Sequence, residues 1–219
     1  MVKDIIILGT GGNCRDILDT INVINAFKST YNVLGFLDDN CEIHAQLIHG
    51  KPVLGKLEDA VRFSEAYFVN GIGSEFNFYR KKAILEKTRI PIEQFESIIH
   101  PTASVSATAN IGAGTVLLPN ATVASDVIIG NHVIMLPHAV VSHDTSVGDY
   151  SCIAGGACIN GNCSLADSVY IGANSAIRSN LTVGTESLVG MGAIVIHDVP
   201  PNTVVIGNPA AILRKVHGN

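Results

Sequence analysis

Residues 105–123 read Val-Ser-Ala-Thr-Ala-Asn-Ile-Gly-Ala-Gly-Thr-Val-Leu-Leu-Pro-Asn-Ala-Thr-Val, with an aliphatic side chain at 105, 111, 117 and 123. The column continues unbroken through Ile129, Met135, Val141, Val147, Ile153, Ile159, Leu165, Ile171, Ile177, Val183, Val189 and Val195, sixteen positions spaced by six. Ile, Val, Leu and Met fill 66 of 219 positions, so each hit alone is about a one-in-three event. Sixteen in a row, in any phase, is on the order of one in ten million, and the period of six is therefore a property of the fold.

Four residues after each aliphatic, a small residue (Ala, Ser, Thr, Cys or Val) recurs at fifteen of sixteen places, with Leu181 the exception. Glycine follows the aliphatic directly at 112, 130, 148, 172, 184 and 190. A period of six matches neither a helix nor simple strand alternation. It fits a solenoid in which each short strand sends one aliphatic inward and then turns a tight corner where bulk cannot fit. Three such faces close a coil of eighteen residues, so residues 105–200 make a little over five coils of a parallel β-helix. A β-sandwich would space its strands at about 8–12 residues instead.

The chain before this repeat has another character. All seven Phe lie before residue 96, and no Lys occurs between Lys87 and Lys215, which places a domain boundary near Ile98 to Pro101. Lys3 to Gly9 reads as a buried parallel strand. Gly9-Thr10-Gly11-Gly12-Asn13 follows and opens a helical pattern at Ile17, Leu18, Ile21 and Ile24. Strand, glycine turn and helix N-terminus together form an anion site, because free N–H groups and the helix dipole face a phosphate. A second strand, Val33 to Leu37, ends in Asp38-Asp39, where a carboxylate can bond a ribose or a base. A third, Ala66 to Gly71, ends at Gly73-Ser74 before a helix over Phe76 to Lys87. The loop lacks a full GxGxxG, since Cys14 stands at the third glycine position, and a purely structural tight turn fits it as well. About 95 residues make half of a dinucleotide fold, so a nucleotide-sugar fits better than NAD.

Composition sets further bounds. No run approaches the ~18 apolar residues of a membrane span, and Ile5 to Leu8 is too short for a signal-peptide core. These features point to a cytoplasmic protein. The five cysteines (14, 41, 152, 158, 163) are odd in number and contain no CxxC pair, which disfavours a disulfide framework and a zinc cage. A net charge of −5 without a basic cluster argues against nucleic acid as a partner.

Six short motifs carry a resemblance along nearly the whole chain: Gly-Thr-Gly-Gly-Asn (9–13), Phe-Leu-Asp-Asp (36–39), Gly-Ile-Gly-Ser (71–74), Ile-His-Pro-Thr-Ala (99–103), Val-Ser-His-Asp (141–144) and Gly-Asn-Pro-Ala (207–210). In their combination the sequence resembles the bacterial nucleotide-sugar acetyltransferases related to the sialic acid O-acetyltransferases. These include N-acetyltransferases of nucleotide-linked 4-amino-4,6-dideoxy sugars used for surface glycans. The resemblance implies a small Rossmann-like α/β domain (1–98) that binds the nucleotide-sugar. A left-handed β-helix with a C-terminal cap (99–219) follows as the acyltransferase domain. It further implies a homotrimer and acetyl-CoA as co-substrate, with no metal. His143 would be the general base and Asp144 its orienting partner. Gly11, Gly12, Asn13, Asp38, Asp39 and Gly73 would hold the nucleotide. CoA would lie between two β-helices against Cys152, Gly161, Ala173 and Met191. In one respect the chain departs from the family: Cys152 stands where a second histidine commonly meets the thioester end of CoA.

Histidine suits the expected reaction, since its ordinary pKa lies near 6.5 and a placed general base contributes about 10² to 10⁴ in rate. The residues eighteen before and after His143 are Ser125 and Gly161, both small, which leaves room beside the imidazole. His138 and His143 also form an H-x4-H pair, as in zinc-dependent γ-class carbonic anhydrases. Here the pair occupies different hexad places and lacks a third histidine about two coils earlier. His132, His138 and His197 read as solvated residues or trimer contacts. The tail after Pro200-Pro201 is expected to cap the helix and leave the prism, and Arg214 and Lys215 could reach the 3′-phosphate of CoA. The reading is an acetyl-CoA-dependent N-acetyltransferase of a nucleotide-linked amino sugar. O-acetylation of a sugar or sialic acid and a non-catalytic nucleotide-sugar sensor are the alternatives.

Overall fold

A computed structural model describes residues 2–217. The chain begins as a five-stranded sheet: β1 (Lys3–Leu8), β2 (Tyr31–Leu37), β3 (Leu47–Ile48), β4 (Lys51–Gly55) and β5 (Tyr67–Asn70), in the order β3-β4-β2-β1-β5. All neighbours are parallel except β3, which pairs antiparallel with β4. Helix α1 (Gly12–Phe27) crosses from β1 to β2 and buries Ile17, Leu18 and Ile21 against the sheet. The second helical segment is shorter than the periodicity predicts: one 3₁₀ turn, Phe78–Arg80, leads into α2 (Lys81–Glu86). The β3–β4 hairpin has no counterpart in the sequence reading. It turns on His49 and Gly50, both at positive φ (48° and 76°), a primed hairpin turn made without the usual Asn-Gly signal.

From Ile98 onward every strand of the repeat is two residues long and pairs in parallel with the strand eighteen residues away, which makes a β-helix with three faces. One face runs through Ile98–Ile99, Val116–Leu117, Ile134–Met135, Cys152–Ile153, Tyr170–Ile171 and Leu188–Val189. The second begins at Ser104–Val105 and includes Val140–Val141; the third begins at Asn110–Ile111 and includes Ser146–Val147. The sixth-residue aliphatics point inward and form one continuous core from Leu117 to Val205. Burying each takes an aliphatic side chain out of water at about 1.5–3 kcal/mol.

The corners follow a rule of their own. Every sixth residue from 114 to 192 adopts positive φ, including Asn120, Asp126, Asp144, Asn162, Asn174 and Asn180. Gly, Asn and Asp tolerate this conformation best, and they hold nine of its fourteen places.

The outward side chains of Val116, Ile134 and Cys152 share a buried cluster with Ile5, Cys14, Ile17 and Ile21, so the α/β sheet docks on the first face of the β-helix. The tail does not leave the prism as expected. Thr203–Ile206 extends the docked face in parallel, and Ala211–Lys215 folds back antiparallel to it as an exposed edge strand. Val204 and Val205 supply the aliphatic burial that keeps the tail on the coil. Among the described residues no helix is long and apolar enough to cross a membrane.

Candidate functional site

The glycine turn after β1, the acidic end of β2 and the loop after β5 converge at the C-terminal edge of the sheet. There they enclose a cavity of about 580 Å³. All six residues expected to hold a nucleotide line it: Gly11, Gly12, Asn13, Asp38, Asp39 and Gly73. Helix α1 starts at its wall with no side-chain cap and no acidic residue in the first turn, so its N–H groups and dipole remain available to an anion.

Several of these residues also hold one another. Asn13 donates from Nδ2 to the Gly73 carbonyl at 2.8 Å, which pins the loop after β5 to the glycine turn. Asp38 accepts from Thr10 Oγ1 at 2.7 Å and from the Asn40 N–H at 2.9 Å. Asp39 accepts from the Leu57 N–H at 3.1 Å and lies 3.6 Å from Lys87 Nζ. Cys14, at the third glycine position, is a packing residue. Its sulfur fills the space that Gly9 and Gly71 leave, and a Cβ on Gly71 would come within 2.4 Å of it. Burial pushes this thiol up to about 12, so it stays protonated.

Thr10, Ser74, Asn77, Arg80, Ile84 and Lys87 also line the cavity and were not singled out by the sequence. Arg80 and Lys87 were the legible ones: two cations within one helical stretch just after the third strand, beside an expected phosphate site.

His143 sits at the corner between the second and third faces, opposite the docked face. Its Nδ1 lies 2.7 Å from Asp144 Oδ2, and both side chains are more than half exposed. With Nδ1–H donating to the carboxylate, Nε2 carries the free lone pair. The imidazole stands directly over Gly161, where an added Cβ would fall 2.6–3.0 Å from three ring atoms. Asp144 holds one of the positive-φ corner places (φ 56°), which sends its side chain back beside the histidine that precedes it.

The four residues expected to meet CoA fall into two groups. Ala173 and the exposed Met191 line a cavity of about 240 Å³ at the corner next to the docked face, together with Ser74, Glu75 and Phe76 of the α/β domain. Cys152 lies near them on the docked face but is buried beneath Gly73. Gly161 stays with His143 at the opposite corner. A single chain thus keeps the imidazole apart from the larger cavity.

One expectation about another residue changes. His132 is not solvated: it is 4% exposed, stacked on Tyr150 at 5.3 Å and meeting the edge of Phe95 at 4.4 Å. The reason is the docked domain, whose Phe95 covers that corner. Arg214 and Lys215 lie on the exposed tail strand, where Arg214 donates to the Lys215 carbonyl at 2.9 Å and Lys215 to Thr203 Oγ1 at 3.4 Å. His138 and His197 are exposed as expected.

Comparison with known proteins agrees with both halves of this description. Residues 4–87 match the model of the PglD N-terminal domain, and residues 108–143 match the bacterial transferase hexapeptide model of six repeats. The acetyltransferase domain of PglB from Neisseria gonorrhoeae FA1090 is 27% identical with a TM-score of 0.82, over 96% of this chain and 100% of that one. WeeI from Acinetobacter baumannii AYE is 26% identical with a TM-score of 0.81, over 97% and 100%. A mutant perosamine N-acetyltransferase from Caulobacter crescentus, solved with CoA and GDP-perosamine, shares the fold. Its TM-score is 0.85 at 22% identity, over 98% and 99%. A curated relative from Schizosaccharomyces pombe, named as an acetyltransferase, is 50% identical over only 30 residues, which spans 14% of its length and 14% of this chain. The chain thus joins a PglD-type N-terminal domain to bacterial transferase hexapeptide repeats, and over nearly its whole length it is similar to solved acetyltransferases of that build.

Proposed function

We propose that the protein is an acetyl-CoA-dependent N-acetyltransferase that acts on the amine of a nucleotide-linked sugar, of the 4-amino-4,6-dideoxy class, in surface-glycan synthesis in the cytoplasm. Residues 1–98 hold the nucleotide-sugar in the cavity between Gly11, Asn13, Asp38, Asp39 and Gly73. Residues 99–219 form the left-handed β-helix that carries the transfer chemistry. The observation that carries the reading is the His143–Asp144 pair, 2.7 Å apart over a glycine that leaves the imidazole face open.

Acetyl-CoA supplies the acetyl group as a thioester. Asp144 accepts the Nδ1–H of His143 and fixes the tautomer, and Nε2 takes a proton from the sugar amine as its lone pair forms the new C–N bond. The proton on Nε2 is then available to the departing thiolate. Corner N–H groups can stabilise the oxyanion that develops on the acetyl carbonyl.

Because His143 and Gly161 occupy the corner opposite the docked face, the nucleotide cavity and the Ala173–Met191 cavity of the same chain do not complete a site with them. A homotrimer, in which one copy's His143 corner meets its neighbour's docked face, joins the two groups. The exposed Met191 (75%) and Phe76 (80%) beside the smaller cavity fit such burial.

The test is free-thiol release from acetyl-CoA against UDP-, dTDP- and GDP-linked 4-amino-6-deoxy sugars, with His143→Ala alongside. Turnover on one amino sugar, at least about a hundredfold lower in the variant, is expected. Turnover unchanged in His143→Ala, or a monomer by sedimentation at micromolar concentration, overturns the mechanism.

A further inference from the structure

Lys81, at the start of α2, is fully buried, and the chemistry proposed above makes no use of it. Its Nζ has three polar neighbours where the α/β domain meets the β-helix. These are the His132 carbonyl, the Ser151 carbonyl at 3.5 Å and the sulfur of Cys152 at 3.6 Å. These are three acceptors, enough for the three N–H bonds of an ammonium; in its free-amine form Nζ can serve the two carbonyls with N–H bonds and turn its lone pair to the sulfur. Cys152 is a free thiol, itself only 3% exposed. Above the pair stands Gly73, whose absent Cβ would lie 2.5 Å from the sulfur and 3.6 Å from the lysine nitrogen. Gly73 also lines the 580 Å³ cavity, so one glycine backbone separates the sulfur from a space open to small solutes.

We propose that Lys81 and Cys152 form a site of oxidative modification, at which a hydroperoxide joins the two side chains through a sulfur–nitrogen bond. In the first step the thiol gives two electrons to the peroxide. The O–O bond breaks, Cys152 becomes a sulfenic acid and one water leaves. In the second, the Lys81 lone pair attacks that sulfur, the S–OH bond breaks, and hydroxide departs with an amine proton as a second water. The balance is one amine, one thiol and one hydrogen peroxide giving one sulfenamide and two waters. Sulfenic acids are known to condense with a neighbouring nitrogen when no second thiol is at hand. Burial favours the free amine, since it pushes the Lys81 pKa down against the opposing pull of Cys152. The bond draws together two atoms that support Gly73, and so it acts on the floor of the nucleotide cavity.

The site stands on its own geometry, and its test reads mass rather than acetyl transfer. The full-length protein with Cys41→Ser and Cys158→Ser, which removes the thiols outside the buried set, is treated with hydrogen peroxide, digested and mapped. The expected result is a mass loss of about 2 Da and a peptide pair joined through positions 81 and 152. The link should revert on reduction with dithiothreitol and be absent in Cys152→Ser. Cys152 recovered as a sulfinic or sulfonic acid with Lys81 free, or as an unmodified thiol under the same treatment, overturns the proposal.

Discussion

The imidazole of His143 rests on the Cα of Gly161 eighteen residues later, so closely that a methyl group there would lie 2.6 Å from Cε1 and 2.7 Å from Nε2. The backbone of Gly161 is not in the left-handed region, so alanine fits its conformation and only the ring must move. Gly161→Ala is therefore expected to fold with a melting temperature near that of the parent. Its kcat should fall by about tenfold or more, because a base displaced by an ångström loses its hydrogen-bond geometry. Acetyl-CoA turnover beside a thermal melt checks both halves.

Asp144→Ala removes the acceptor that holds Nδ1–H at 2.7 Å and leaves the ring free to choose its tautomer and rotamer. The expected loss in kcat is about tenfold to a hundredfold, smaller than for His143→Ala, because the base itself remains. Alanine also loses the side chain that tolerates φ 56°, so Asp144→Asn is the companion variant. It keeps the corner and should retain more activity than the alanine. Equal kcat in all three proteins would remove Asp144 from the mechanism.

The β-helix was legible because one physical demand, an aliphatic inside each two-residue strand, repeats sixteen times in the same register. A second column, the positive-φ corner at every sixth residue from Gly114 to Gly192, was also written in the sequence. It was masked at His132, His138, Tyr150, Ser168 and Glu186, residues not expected in that conformation. The cavity at the edge of the α/β sheet was legible in its glycines and aspartates, which sit where strand ends and a helix start place them. Lys81 was not legible: nothing in the local pattern separates it from Lys82, and only docking against the β-helix buries one and not the other. The fate of Cys152 was hidden for the same reason, since an outward position on a β-helix strand is exposed until another domain covers it.

His132 makes the docked interface sensitive to acid. Its Nδ1 is buried without a hydrogen-bond partner, and its pKa falls from the ordinary 6.5 to about 4. Burial is the main cause, with the nearby Lys81 adding to it when protonated and Asp149 opposing. The neutral ring is the form that folding favours. Its contribution is complete above about pH 6.5, declines as pH falls below that, and is lost as pH passes through 4. A shift of this size is worth roughly 3 kcal/mol at the acid end. Urea midpoints measured between pH 7 and pH 4 should fall more steeply for the parent than for His132→Asn, whose side chain suits the left-handed backbone and does not titrate there. Parallel slopes would show that His132 binds its proton as readily in the folded chain as in the unfolded one.

Gly71 and Cys14 test whether the modified glycine turn is a packing solution. A methyl on Gly71 would fall 2.4 Å from the Cys14 sulfur and 3.1 Å from its Cα, so Gly71→Ala forces β5 and the start of α1 apart. Overpacking of this kind costs about 1–3 kcal/mol. Cys14→Ala alone also destabilises, because it empties a site that is 1% exposed between two strands and a helix. Combined, the two changes should cost less than their sum, since the sulfur that blocks the new methyl is gone, while the 3.1 Å approach to the Cα keeps the rescue incomplete. A coupling energy near zero in chemical denaturation of the four proteins would mean that the sulfur does not set the spacing of the turn. The small residue at position 71 would then have to be explained by the cavity it lines.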